Sequence, residues 1–137
     1  MRLAPIAVAT LTAALLSLTA CSQAEDAAKD AASDAACQVA RAAVDEAGRQ
    51  AGQAVDEIGA DPQSAQRDLQ GIRDALAGAE RSVDGDVKAK IGEAKAAVED
   101  LLGQAQDAAE GAEVDTQAVD DARGDLDAAV EDVKNLC

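Results

Sequence analysis

Three cysteines, Cys21, Cys37 and Cys137, are the residues of this chain whose type and position point most directly to covalent chemistry. Cys21 sits near the end of an uncharged run, and Cys37 and Cys137 lie near opposite ends of the charged segment from residue 25 onward, so none belongs to a C-x-x-C pair for thiol exchange or zinc. The other reactive groups are carboxylates, 27 Asp and Glu against 12 Lys and Arg. The chain has no His, Trp, Tyr or Phe. Without imidazole there is no Ser-His-Asp or Cys-His activation and no histidine metal ligand; without rings there is no stacking platform for sugars or bases. An enzyme would have to run on carboxylates, lysines or a lone cysteine, and a carboxylate-based hydrolase of envelope polymers has only generic acids behind it. The expectation is a protein that is not an enzyme, with no catalytic residue, no cofactor and no metal.

Among the acids, Glu113, Asp115, Asp120, Asp121, Asp125, Asp127, Glu131 and Asp132 stand against only Arg123 and Lys134, which suggests a docking face for a basic partner or, more simply, a solvated helix face. Asp84-Gly85-Asp86 resembles a fragment of a calcium loop, but the further oxygen ligands and the closing glutamate of an EF-hand are missing. Asp26, Asp30 and Asp34 recur at one-turn spacing, where like charges repel, and read as a solvated face rather than a cation site.

The elements that must position these residues begin with a leader. Met1-Arg2 is a short positive start, and from Leu3 to Ala24 no residue is charged. Thr10, Thr12, Ser17, Thr19, Ser22 and Gln23 make this run a weak membrane span and a better export signal. At its end stands Leu18-Thr19-Ala20-Cys21, which resembles the lipobox of bacterial lipoproteins. That resemblance implies diacylglyceryl attachment to the Cys21 sulfur and cleavage before it. It also implies a lipid-anchored protein on the extracytoplasmic side of the cell membrane or envelope, since two or more acyl chains hold a protein stably on a bilayer.

From Cys21 onward 27 acids oppose 11 bases, a net charge of −16. Such a field repels nucleic-acid phosphates, so no nucleic-acid partner is expected. Leu, Ile and Val together are few enough in this segment to raise the question of disorder, but 30 alanines favour helix and the large aliphatic residues are ordered in stripes. Residues 22–36 carry no apolar stripe larger than alanine and read as a tether, helical or flexible.

From Cys37 the apolar residues step by three and four. Cys37, Ala40, Val44, Ala47, Ala51, Val55 and Ile58 form one stripe; Ala65, Leu69, Ile72, Leu76, Ala79 and Val83 form a second. Val87, Ile91, Ala94, Val98, Leu101, Ala105 and Ala108 form a third, and Val119, Ala122, Leu126, Ala129, Val133 and Leu136 a fourth. Gly59, Asp84-Gly85-Asp86 and Gly111 mark the breaks, and Asp61-Pro62 and Asp115 or Thr116 the restarts. Short connections make neighbours antiparallel, so the expected fold is all-α, an up-down-up-down four-helix bundle with an alanine-rich core. Its divisions are a signal peptide at 1–20, the lipidated cysteine and tether at 21–36, and the bundle at 37–137. A helix running through Gly85 to make a thin three-helix rod is the rival.

In such a bundle Cys37 and Cys137 lie at one end, an even pair in an oxidising compartment, and a disulfide between them is geometrically plausible. A redox-active cysteine, or a dimer linked through Cys137, is the alternative. The expected function is a structural or protein-interaction module on a lipid anchor. The second reading is a bundle whose interior opens to take a lipid or another apolar ligand, motivated by its many small residues.

Overall fold

Alanine has the highest helix propensity of any residue, and between Ala20 and Gly48 the chain contains neither glycine nor proline. In the computed structural model this stretch is helical throughout. The structure describes residues 20–137, with side chains from Lys29 onward. Four α-helices make up the described residues, which contain no strand: α1 Ala20–Ile58, α2 Pro62–Glu80, α3 Gly85–Ala109 and α4 Thr116–Leu136. Residues 22–36, expected as a tether, therefore belong to α1, a helix of 39 residues in which Cys37 stands in the middle rather than at the start. The leader and Leu18-Thr19 of the lipobox lie outside the described residues. Residues Ser33–Cys137 form one compact unit, a helical bundle.

The breaks between helices have local causes. After α1 the amides of Ala60 and Asp61 both donate to the Glu57 carbonyl, at 3.0 and 2.7 Å. Asp61 then caps α2, its carboxylate accepting from the Ser64 amide at 3.0 Å, with Pro62 in the first turn where a missing N–H costs nothing. The turn between α2 and α3 falls at Arg81–Asp84, slightly earlier than the Asp-Gly-Asp triplet suggests, because Gly85 at φ +61 and Asp86 already belong to the first turn of α3. A left-handed residue at this point excludes the continuous rod. At the end of α3, Gly111 at φ +92 closes a Schellman turn: its amide donates to the Ala108 carbonyl at 3.0 Å, and the Ala112 amide reaches the Asp107 carbonyl at 2.9 Å. Asp115, rather than Thr116, caps α4 by accepting from the Gln117 and Ala118 amides, each at 3.1 Å.

The four stripes meet in one core. Ala40, Val44, Ala47, Ala51 and Ile58 of α1, all six residues of the second stripe, and Ile91, Ala94, Val98, Leu101, Ala105, Val119, Ala122, Leu126, Ala129 and Val133 are buried. Val55, Val87 and Ala108 are partly buried against that core. Ala54, Ala97, Leu102 and Val130 join it although the single stripes omit them, since a helix packed between two neighbours buries a wider arc than one row. Leu136 departs from the expectation. It is 46% exposed, because α4 ends there and the side chain borders an open groove beside Cys37 and Cys137. No described side-chain polar atom is buried without a hydrogen-bond partner.

Contacts between helices follow a definite order. Along α1 and α4, Cys37 meets Cys137, Arg41 meets Lys134, and a Cβ on Gly48 would lie 3.6 Å from Val130. Between α3 and α4, Lys90 pairs with Asp132 at 3.1 Å and Gln104 accepts from the Asp115 amide at 3.2 Å. In these two pairs, residue numbers that rise on one side fall on the other.

Candidate functional site

Two places in the bundle gather the residues singled out by the sequence. The first is the end of α4. Cys37 and Cys137 are joined there by a disulfide with their Cα atoms 5.4 Å apart, closing a loop of 100 residues. Helical register explains the meeting: Cys37 lies on the Ala40–Val44 stripe, and Cys137 follows Val133 by one turn, its amide donating to the Val133 carbonyl at 3.1 Å. Around it, Arg41 Nη2 donates to the Lys134 carbonyl at 2.8 Å, and the Lys134 ammonium pairs with Asp45. A groove of about 370 Å³, lined by Ser33, Asp34, Cys37, Gln38, Arg41, Leu136 and Cys137, opens onto the bond. Both sulfurs are bound to each other, so neither acts as a free nucleophile or a thiolate ligand in this state.

The second place is a groove of about 470 Å³ between α3 and α4, lined by Glu99, Asp100, Gly103, Gln104, Asp107, Ala118, Asp121, Ala122 and Asp125. Five carboxylates border it with no cation among the lining residues. Gly103, Ala118 and Ala122 supply small side chains along the same groove. Asp121 and Asp125 are one turn apart on α4, and the opposed order of contacts between the helices brings Glu99, Asp100 and Asp107 of α3 beside them. The α3 acids were not singled out in the sequence; the signal for them is acid spacing on the solvent side of the third stripe, which becomes legible only once the α3–α4 register is known.

The structure divides the acidic run of the fourth segment rather than keeping it on one face. Asp121 and Asp125 border the groove. Asp115 is occupied as a helix cap, and Asp132 is held by Lys90. Glu113, Asp120, Asp127 and Glu131 are exposed and do not line the groove. Arg123 points toward α1, its guanidinium 3.8 Å from where a Cβ on Gly52 would lie, and does not line the groove. Cys21 falls in the first turn of α1, but its side chain lies outside those described.

Ion pairs elsewhere tie helices together. Lys95 donates to Glu80 at 2.5 Å across α2 and α3, and that hydrogen bond holds the Glu80 carboxyl below its ordinary range. Lys90 is raised by its bonds to Glu93, at 2.8 Å, and to Asp132. Among the described residues no cluster of His, Cys, Asp or Glu has the geometry to hold a metal ion. Among the described residues, too, no helix is long and apolar enough to cross a membrane. Compared with family models, curated proteins and solved structures, the chain matches none of them.

Proposed function

We propose that this chain is a lipoprotein anchored through Cys21 on the extracytoplasmic side of the cell membrane or envelope. Its helices run up-down-up-down, and the acidic bundle serves as a structural or protein-interaction module. The observation that carries the reading is the Cys37–Cys137 bond. A structural disulfide belongs to an oxidising compartment, which agrees with an export leader, and pairing these two leaves Cys21 as the odd cysteine, at the position that the lipobox resemblance marks for lipid. The falling and rising residue pairs between α1 and α4 and between α3 and α4 support the up-down order. The partner is a protein with a basic surface, and its docking face is the α3–α4 groove, which five carboxylates line and no cation does.

Mass analysis of the N-terminal peptide from membrane-extracted protein is the direct test of anchoring. It should begin at Cys21 and carry a diacylglyceryl thioether, and Cys21→Ser should move the protein from the membrane to the soluble fraction. An unmodified Cys21, or a leader still attached, would overturn the anchor. Crosslinking in the native envelope tests the partner: the quadruple variant E99Q/D107N/D121N/D125N should lose crosslinks that wild type makes, and unchanged crosslinks would exclude the groove. The apolar-ligand reading has less to favour it, because both grooves are open and bordered by polar side chains, and small residues such as Gly48 bring helices close instead of leaving space.

A further inference from the structure

The four helices contribute unequally to the core. Of the six buried residues of α1 in the bundle, four are alanines, and only Val44 and Ile58 are larger. By contrast α2 buries Leu69, Ile72 and Leu76; α3 buries Ile91, Val98, Leu101 and Leu102; α4 buries Val119, Leu126, Val130 and Val133. Hydrophobic stabilisation scales with the apolar area removed from water, so a helix docked mainly by methyl groups is held less firmly than its neighbours. Polar links are as many on α1 as between any two of the other helices, but on α1 they are confined to one end. Glu80–Lys95 ties α2 to α3, and Lys90–Asp132 and Gln104–Asp115 tie α3 to α4. Among the described residues the polar side-chain links from α1 to another helix are Arg41 to the Lys134 carbonyl and Asp45 to the Lys134 ammonium, both within about two turns of the disulfide and both exposed.

We infer that Cys37–Cys137 is a redox latch on α1: reducing it releases the helix from Cys37 to Ala54, while α2, α3 and α4 stay packed on one another. Ile58, buried one residue before the exposed Gly59–Asp61 connection, is the pivot. Between the pivot and Val44, the buried residues of α1 are Ala47, Ala51 and Ala54, with Val55 partly buried, so the share of this contact that α1 itself supplies is mostly methyl groups. The groove beside the bond gives an external reductant its approach.

The reductant is a dithiol. Its first thiolate attacks one sulfur of the bond, forming a mixed disulfide and releasing the other cysteine as a thiolate that takes up a proton. Its second thiolate then attacks its own sulfur in the mixed disulfide, and the remaining cysteine leaves and is protonated in turn. The dithiol departs as a cyclic disulfide, and two electrons and two protons have passed to the protein. Reoxidation reverses the step and redocks the helix.

Hydrogen exchange read by mass spectrometry on the full chain, oxidised and then reduced with dithiothreitol, tests the latch. Amides of residues 40–54 should exchange faster after reduction by up to about three thousandfold, the ceiling set by the closure entropy of a loop of 100 residues. Peptides covering 91–105 and 119–133 should accelerate at least about tenfold less than residues 40–54, since sub-global opening leaves the remaining helices protected. Protection of 40–54 should return on reoxidation, and C37S/C137S should behave like the reduced chain. Acceleration of all four helices together would overturn the inference by showing one cooperative unit. Unchanged exchange in 40–54 would overturn it by showing that α1 needs no tie.

Discussion

Single residues mark the ends of the helices, and their effects separate cleanly. Asp61 accepts a backbone hydrogen bond at the start of α2, whereas Asp84, in the same position before α3, makes none. Asp61→Ala should therefore cost about 1 kcal/mol, the usual worth of a helix cap, and Asp84→Ala clearly less, measured by urea unfolding followed by circular dichroism. Glycines separate in the same way. Gly71 lies inside α2 with open space around its Cβ position, so Gly71→Ala should stabilise by about 0.5–1 kcal/mol through helix propensity. Gly85 has equal space but a φ of +61, so Gly85→Ala should destabilise by about 1 kcal/mol or more. Glu80 gives the pH dependence its sign. Its folded-state value is depressed by Lys95, so its contribution is present above the ordinary glutamate value of about 4.3 and is lost as pH falls through the lower folded value. Glu80→Gln should flatten the acid limb of the stability curve over that window. A limb identical to wild type would show that the pair contributes nothing. The caps at Asp61 and Asp115 were legible in the sequence, because an acid before a proline or at a stripe's start has few other local uses; the partner of Glu80 was not, since Lys95 is fifteen residues away.

At the scale of the helix, spacing by three and four named most of the core before any contact was known. It failed in two informative ways. It left out Leu102 and Val130, which are buried at 6% and 8% exposure because their helices pack against more than one neighbour. It included Leu136, which the end of α4 leaves on the rim of a groove. The contrast gives a paired prediction: Leu101→Ala should cost about 2–5 kcal/mol, as for buried leucines generally, and Leu136→Ala under about 1 kcal/mol, compared by chemical denaturation. Equal losses would mean that the stripe, not the neighbours, decides burial. The length of α1 is the other lesson. Its first half has no large apolar residue to fix a register, so periodicity said nothing about it, while propensity alone carried the helix through residues 22–36.

For the molecule as a whole, the two governing quantities are charge and the covalent loop. A net charge of −15 makes the compact state repel itself, and neutral salt screens that repulsion as the Debye length shrinks from about 30 Å at 0.01 M to about 3 Å at 1 M. The melting temperature should accordingly rise with sodium chloride over that range, and a fall would show that the exposed ion pairs outweigh the repulsion. Closing a loop of 100 residues stabilises by roughly 4.7 kcal/mol in the chain-entropy model, a large share of the total for a core without aromatic rings. The uncharged N-terminal run, the lipobox resemblance, four apolar stripes and the exclusion of imidazole or aromatic chemistry were determined by the sequence itself, because each depends on residue type and local spacing. The α3–α4 groove, the division of the acids between caps, pairs and open surface, and the weak seating of α1 were decided by tertiary structure. They depend on which residues far apart in the chain become neighbours, and on how large the side chains are where two helices meet.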